Sequence, residues 1–510
     1  MKQAFVFCFF FLNVTTFLHA QSKRNAIWIN GANGWGNWAT QFKTNNTIIQ
    51  YKFGIINQLR NYEASHSNIC DSNGRIVLVS DGYNILDSNN NIMEGGLKLA
   101  YPAFYLYNNK SLYSQASLFL PMENNIYYFI NLNVTDTCLS TWSTPDRLDP
   151  DRLLYHKVDM NMNGGAGKVY ERMQILDSTG SFEASAMMAC RHANGKDWWL
   201  IKQGADTVYF HTYLITQDSV VIMPKQYFPN LPFEPNASGL IEDGQITFNH
   251  SGTKMAFVSR QKPSLYLFDF DRCTGKLSNA QAHFAPRGTP QDFNMRGVCF
   301  SRYDRFVYIA KYAYILQFDT YAADSASAWY QVAEKDTIAG THFNGYNNLY
   351  ISNNNRIYIG NAVANGNTMS VINNPDGKGA LCSWCPKCLR FDSVAFYANG
   401  IGVSQPPCMA DYGLGAVSVP CEPLAIHQFE NLAMSQLVVY PNPATDRLHL
   451  RWDAALTSQT KLEVRNLFGQ VLFTRTLPKG ASNYELDISN LPSACYLVKV
   501  GNTVRRFAKE

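Results

Sequence analysis

The sequence predicts an all-β protein: a β-propeller of about seven blades followed by a small antiparallel β-sandwich of immunoglobulin-like type. Three observations carry this. From about residue 25 to 420, short apolar runs alternate with clusters of Asn, Gly, Asp and Ser. Several of those runs share one plan, an apolar residue, a polar turn and then a strand. After residue 437 the pattern becomes a strict alternation of apolar and polar residues.

Taken in chain order, the first segment is a leader. Lys2 supplies a positive start, Ala4 to Leu12 (AFVFCFFFL) an apolar stretch, and Ala20 a small residue before Gln21. This reads as a secretory signal peptide over residues 1–20, cleaved after Ala20. The apolar run is too short to span a membrane, and no later stretch approaches the roughly 18 apolar residues that a spanning helix needs. No transmembrane segment is expected in the mature chain. An exported chain meets an oxidising compartment, so disulfides are expected. The 12 cysteines include Cys8 in the leader, and the odd number left after cleavage implies at least one thiol outside an internal bridge.

Residues 21–412 read as the propeller. Runs such as Gly74 to Gly82 (GRIVLVSDG), Asn124 to Leu132 (NNIYYFINL) and Asp304 to Lys311 (DRFVYIAK) have strand length, β-favouring composition and turn formers at both ends. No long stretch carries a helical apolar stripe. Such a length of short strands exceeds one sandwich, whereas blades of roughly 40 to 50 residues give a ring of about seven. The repeat is visible in Phe248 to Arg260 (FNHSGTKMAFVSR), Phe300 to Lys311 (FSRYDRFVYIAK) and Ile351 to Asn361 (ISNNNRIYIGN). Phe248 to Ser259 followed by Leu265 to Asn279, together with Ala64 to Gly96, Leu153 to Val169, Arg191 to Ile201 and Met369 to Gly379, resembles the propeller repeat of exported Bacteroidetes proteins, distantly akin to WD-type repeats. The resemblance implies architecture and no particular activity. Phe300 to Phe306 (FSRYDRF) lacks the usual Pro-Asp-Gly turn, so a different turn is expected there.

Residues 413–436 carry Pro420 and Pro423 without strong alternation and read as a linker. Alternation then returns over residues 437–510. Leu448, Leu450 and Trp452 share one face, as do Leu462 and Val464, and Tyr484, Leu486 and Ile488, which is the pattern of a half-buried antiparallel sandwich. The segments YPNPATDRLHL, VRNLFGQVL, LDISNLPSACYLVKV and VRRFAK resemble the type A C-terminal sorting domain of the type IX secretion system. The resemblance covers Val438 to the end and rests on Tyr440, Pro441, Asn442, Pro443, Gly469 and Tyr496. Ala494 stands where that family usually has Gly. A positive φ there would strain Ala by about 1 kcal/mol. The resemblance implies passage through the periplasm and recognition by the outer-membrane translocon of that system. The destination is then the medium or the outer-membrane surface.

The sequence carries no H-E-x-x-H, G-x-S-x-G or P-loop. With 43 Lys and Arg against 39 Asp and Glu, and no basic cluster, nucleic acid is not an expected partner. Cys382, Cys385, Cys388 and Cys408 form a candidate disulfide cluster, preferred over zinc in an oxidising compartment. His192 and Asp197, beside Arg191, could pair as acid and base, but a tight turn explains them better, with Trp198 and Trp199 dividing between core and surface. Asp71 to Arg75 and Asp87 to Asn91 resemble pieces of calcium loops, yet Asp-rich turns are ordinary between strands. No cofactor or metal is expected. Two functions fit: binding of an extracellular glycan or protein, or a hydrolase or lyase whose site forms at the channel mouth from residues of several blades.

Overall fold

The computed structural model describes residues 23–31, 38–43, 48–52, 65–89, 91–107, 114–140, 150–179, 182–205, 207–232, 244–259, 264–286, 295–311, 313–334, 345–361, 368–390, 405–418, 421, 437–452, 455–456, 458–466, 471–501 and 503–510. The chain divides into two compact units, Met1–Cys421 and Glu422–Glu510. The leader and Gly469 lie outside the described residues.

Among the described residues the first unit contains seven antiparallel sheets whose strands pair in chain order, except that the short strand Gln226–Tyr227 of the fourth pairs with Tyr209–Ile215. Their first strands are Ile27–Gly31, Ser67–Cys70, Ser117–Pro121, Phe182–Arg191, Gly244–Phe248, Met295–Phe300 and Tyr346–Ile351. The fifth sheet shows the plan in full: Gly244–Phe248, Lys254–Ser259, Ser264–Asp271 and Lys276–Phe284. First strands of neighbouring sheets pack together from the first sheet to the third and from the fourth to the seventh. The third and fourth sheets are joined where the Trp198 indole N–H donates to the Pro121 carbonyl at 3.0 Å. The ring closes where Trp28 of the first sheet meets Tyr358 of the seventh, centroids 5.2 Å apart at 74°. Sheets stacked in a ring about their first strands make a β-propeller.

This closure creates a problem that the sequence solves with amides. Each first strand is an inner edge whose N–H and C=O groups face the channel, and unpaired buried backbone groups are costly. Asn68 receives the Ile29 N–H at 3.0 Å and donates to the Ile27 carbonyl at 2.8 Å. Gln115 does the same for both polar groups of Ile246, at 2.8 and 2.9 Å, from the third sheet to the fifth. The Gln245 carbonyl oxygen accepts from Val298 at 3.1 Å and Leu349 at 3.0 Å, and its amide donates to Leu349 at 2.7 Å. All three amides are buried.

The second unit is a sandwich. One sheet orders Val438–Tyr440, Arg447–Arg451 and Asn483–Asp487, and the other orders Val471–Leu477, Thr460–Asn466, Ala494–Val500 and Thr503–Lys509. Leu448, Leu450, Trp452, Leu462, Val464, Leu486 and Ile488 are all buried in its core, as the alternation predicts. Tyr484 is only partly buried and packs at the edge of that core. Ala494 opens its strand exposed and outside the positive-φ region, so the absence of Gly costs nothing there.

Candidate functional site

The turn that follows the first strand is one device repeated in successive sheets. In the fifth, sixth and seventh sheets it runs Asn249 to Lys254, Ser301 to Phe306 and Ser352 to Arg356. In each, the first residue's N–H bonds the last residue's carbonyl, at 3.0, 2.7 and 3.0 Å. The fourth residue turns back onto the first carbonyl through a left-handed conformation, filled by Gly252 (φ 70°), Asp304 (φ 64°) and Asn355 (φ 60°). Asp and Asn tolerate this region better than other side-chain-bearing residues. The turn of FSRYDRF is therefore the common one, contrary to expectation, with Asp304 in place of Gly. This register puts His250, Arg302 and Asn353 at one equivalent position on three successive turns.

All three line a cavity of about 320 Å³ at this end of the channel. One wall comes from the ends of the fifth, sixth and seventh first strands, including Phe248, Phe300 and Tyr350, and another from Trp28 and Asn25. The opposite wall is a strap, residues 405–418, that crosses from sheet to sheet. The strap's Cys408 N–H donates to His66 at 2.8 Å, Tyr412 O–H to Phe119 at 2.9 Å, and Val417 N–H to Ala193 at 2.9 Å. A disulfide from Cys421 to Cys273 fixes its far end. The strap approaches so closely that a Cβ on Gly252 would stand 2.6 Å from Leu414, which explains why this turn alone of the three uses glycine. Residues 413–418, read from the sequence as the start of a linker, thus pack as part of the first unit.

Charge gathers at the rim. His250 Nδ1 lies 2.8 Å from Asp411 Oδ2 on the strap and 2.8 Å from Arg302 Nη1. With Nδ1 protonated the ring donates to Asp411; with Nδ1 bare it accepts from Arg302. One atom cannot do both, so the tautomer selects the partner. Asp304 secures the turn beneath, accepting from the His250 N–H at 3.0 Å and the Asn249 amide at 2.9 Å. Arg272 is buried and spends Nε on Arg191 at 2.9 Å and Nη2 on the His192 and Gly415 carbonyls. Burial lowers the pKa of Arg272 and, with repulsion from Arg24 and Arg272, takes that of Arg191 to about 10. Cys299 also lines the cavity, and burial pushes its thiol up to about 12, which leaves it without thiolate at neutral pH.

The residues singled out from the sequence fall elsewhere or act locally. His192 Nδ1 accepts the Asn194 N–H at 3.0 Å and Nε2 lies 3.1 Å from the Cys273 carbonyl, while Asp197 binds Asn194. They hold a turn. Trp198 and Trp199 are both fully buried rather than divided between core and surface. Asp71 and Asp87 each accept two backbone N–H groups of their own turns. Cys385 is bridged to Cys388, while Cys382 and Cys408 are buried thiols. Among the described residues no cluster could hold a metal ion. His250 and Arg302 were missed, although three aligned repeats placed them at one offset. Asp411 gave no local signal, because only the folded strap brings it there.

A second site lies in the C-terminal unit. Thr503–Lys509 is an outer strand, and Asn442 caps it as Asn68 caps the propeller: its amide donates to the Arg506 carbonyl at 3.3 Å and receives the Ala508 N–H at 2.8 Å. Ala444 and Glu510 continue the pairing through two further backbone bonds. Pro441 and Pro443 flank Asn442 and carry no N–H that would compete for these acceptors. Tyr496 is buried, stacked on Phe507 at 5.6 Å, with its O–H donating to Pro492 at 2.7 Å. The short Tyr-Pro-Asn-Pro segment therefore binds the basic terminal strand to the sandwich.

Fold and sites together define a propeller carrying a C-terminal address. Residues 438–510 match the family described as secretion system C-terminal sorting domain, and this unit is a sorting domain of the type IX system. The protein is secreted or held at the cell surface, and the type IX machinery is its partner in export. Among the described residues no helix is long and apolar enough to cross a membrane. No curated protein matches the chain. Among solved structures, it is similar to a periplasmic gluconolactonase of Pseudomonas aeruginosa at 10% identity, with 94% of this chain and 99% of the other spanned and a TM-score of 0.35. A protein from Lactobacillus plantarum is similar at 10% identity over 90% of this chain and 98% of its own, TM-score 0.37. The propeller domain of Swd1 from Myceliophteria thermophila is similar at 11% identity over 67% and 95%, TM-score 0.32. The propeller assignment rests on the sheets themselves, and likenesses at these scores carry none of it.

Proposed function

We propose that the protein is an exported binding protein whose extracellular ligand, a glycan or part of a protein, is received in the cavity beneath the strap. The leader at residues 1–20 takes the chain to the periplasm and the sorting domain takes it across the outer membrane. The observation that carries this reading is the cavity itself. Its volume suits a small ligand or a single protruding group, and it mixes aromatic walls with a few convergent polar side chains. The test is a glycan and protein-ligand array probed with the full mature chain and with Thr247→Trp, which fills the cavity from the first strand of the fifth sheet. Binding that survives Thr247→Trp undiminished would sink the proposal.

One observation favours a second reading, a hydrolase or lyase. His250 beside Asp411 is a histidine oriented by a carboxylate at the channel mouth, the pairing that general acid–base chemistry requires. A hydrolase and lyase screen with the mature chain decides between them. Turnover that disappears in His250→Asn while ligand binding persists would establish catalysis. Binding without turnover supports the first reading.

A further inference from the structure

The cavity wall carries a surplus of positive charge that identifies a class of ligand. Arg302 is half-buried and uses one N–H on His250, and its other guanidinium donors have no protein partner among the described residues. Arg272 spends Nε and Nη2 on three backbone carbonyls, which leaves Nη1 without a bond among the described residues. Carbonyl bonds fix a guanidinium without neutralising it. Against these two cations and His250 the lining offers one carboxylate, Asp411. Asp304, beside it, accepts from Asn249, Ser251 and the His250 N–H and keeps its charge, so two carboxylates stand against the arginines. Arg24 and Arg191 add to the positive field from nearby sheets, as their mutual repulsion shows. The lining is also aromatic and amide-bearing, with Phe248, Phe300, Tyr350, Asn353 and Asn355 among its residues. That combination suits a hydroxylated ring as large as a sugar.

We infer that the cavity receives its ligand by an oxyanion, a carboxylate, sulfate or phosphate on a small polar body, which Arg302 grips with its free donors and Arg272 attracts by charge. The planar fork of an arginine matches two oxygens of such a group at once. The inference rests on reading the cavity as a ligand site and adds the chemistry of the ligand.

The full mature chain is titrated with methyl β-D-glucuronide, methyl β-D-glucoside and inorganic phosphate at constant ionic strength, with intrinsic fluorescence as the readout because Trp28 lines the cavity. The glucuronide and phosphate should saturate and compete, and the glucoside should bind about tenfold more weakly or worse. Arg302→Gln should weaken both anions about tenfold or more, and Arg302→Lys should recover part of the loss. Circular dichroism of each variant controls for folding. Saturation by phosphate alone keeps the oxyanion and rules out the sugar-acid source. Equal binding of glucoside and glucuronide, or anion binding unchanged in Arg302→Gln, overturns the inference. The cavity reading then stands if Thr247→Trp still abolishes binding, and falls if it does not. Failure of both anions to saturate in the tens of millimolar overturns the inference as well.

Discussion

Gln245 shows how single residues make a closed ring of sheets affordable. Its amide satisfies one carbonyl and two N–H groups on the inner edges of the sixth and seventh sheets. Gln245→Leu keeps the volume and removes all three bonds, each worth about 1–3 kcal/mol when a buried group is left unpaired. A loss of about 3 kcal/mol or more is expected in equilibrium denaturation, and a loss below about 1 kcal/mol would refute this role. Two buried histidines contribute to acid sensitivity. Burial lowers His66 to about 4 and His156 to about 3, from 6.5. Below pH 6.5 the unfolded chain takes up protons that the folded chain refuses, so stability falls as pH falls. The slope is about 1.4 kcal/mol per pH unit for each histidine, down to the folded pKa. His156→Gln should remove one proton from that slope in denaturation measured between pH 6.5 and 4. An unchanged slope would assign the acid sensitivity elsewhere. None of these roles was legible in the sequence, where Gln245 and His156 stand within strand-like runs as ordinary polar residues. Gln245 acts on sheets far along the chain, and His156 is buried among Asn131, Met173 and Phe129 of neighbouring strands, neither of which a local pattern shows.

At the scale of elements, the strands and turns were the legible part. Alternation placed Leu448, Leu450 and Trp452 on one face because a half-buried strand has a period of two, a purely local rule. The repeated turn was legible in the same way, since one left-handed residue at a fixed offset is also local. The strap was not legible. Residues 405–418 have neither alternation nor helical period, and what holds them is a set of bonds to turns of other sheets. That makes the Cys273–Cys421 bridge the decisive constraint on the element. Cys421→Ser should free the strap's end, at a cost of about 2–5 kcal/mol for a long-range bridge. Limited proteolysis should then cut near residues 413–418 while the seven sheets stay resistant, and ligand affinity at the cavity should fall. Cleavage within the sheets first, or a strap as resistant as before, would contradict this division of labour.

For the whole molecule, the two units separate destination from work. The sorting domain has its own core, from Leu437 to Phe507. We propose that its address is read from features that hold together as a unit: the Tyr-Pro-Asn-Pro segment and the terminal strand that Asn442 secures. Deletion of residues 438–510 should therefore leave the propeller folded, with cavity binding intact, but stranded in the periplasm. Cell fractionation reads the location, and titration of the truncated protein from that fraction reads the site. Asn442→Ala should give a partial version of the same defect, because it unpins the terminal strand and leaves the core untouched. Normal appearance of the truncated protein in the medium or at the surface would show that another part of the chain carries the address. Loss of cavity binding on truncation would show that the two units do not act independently.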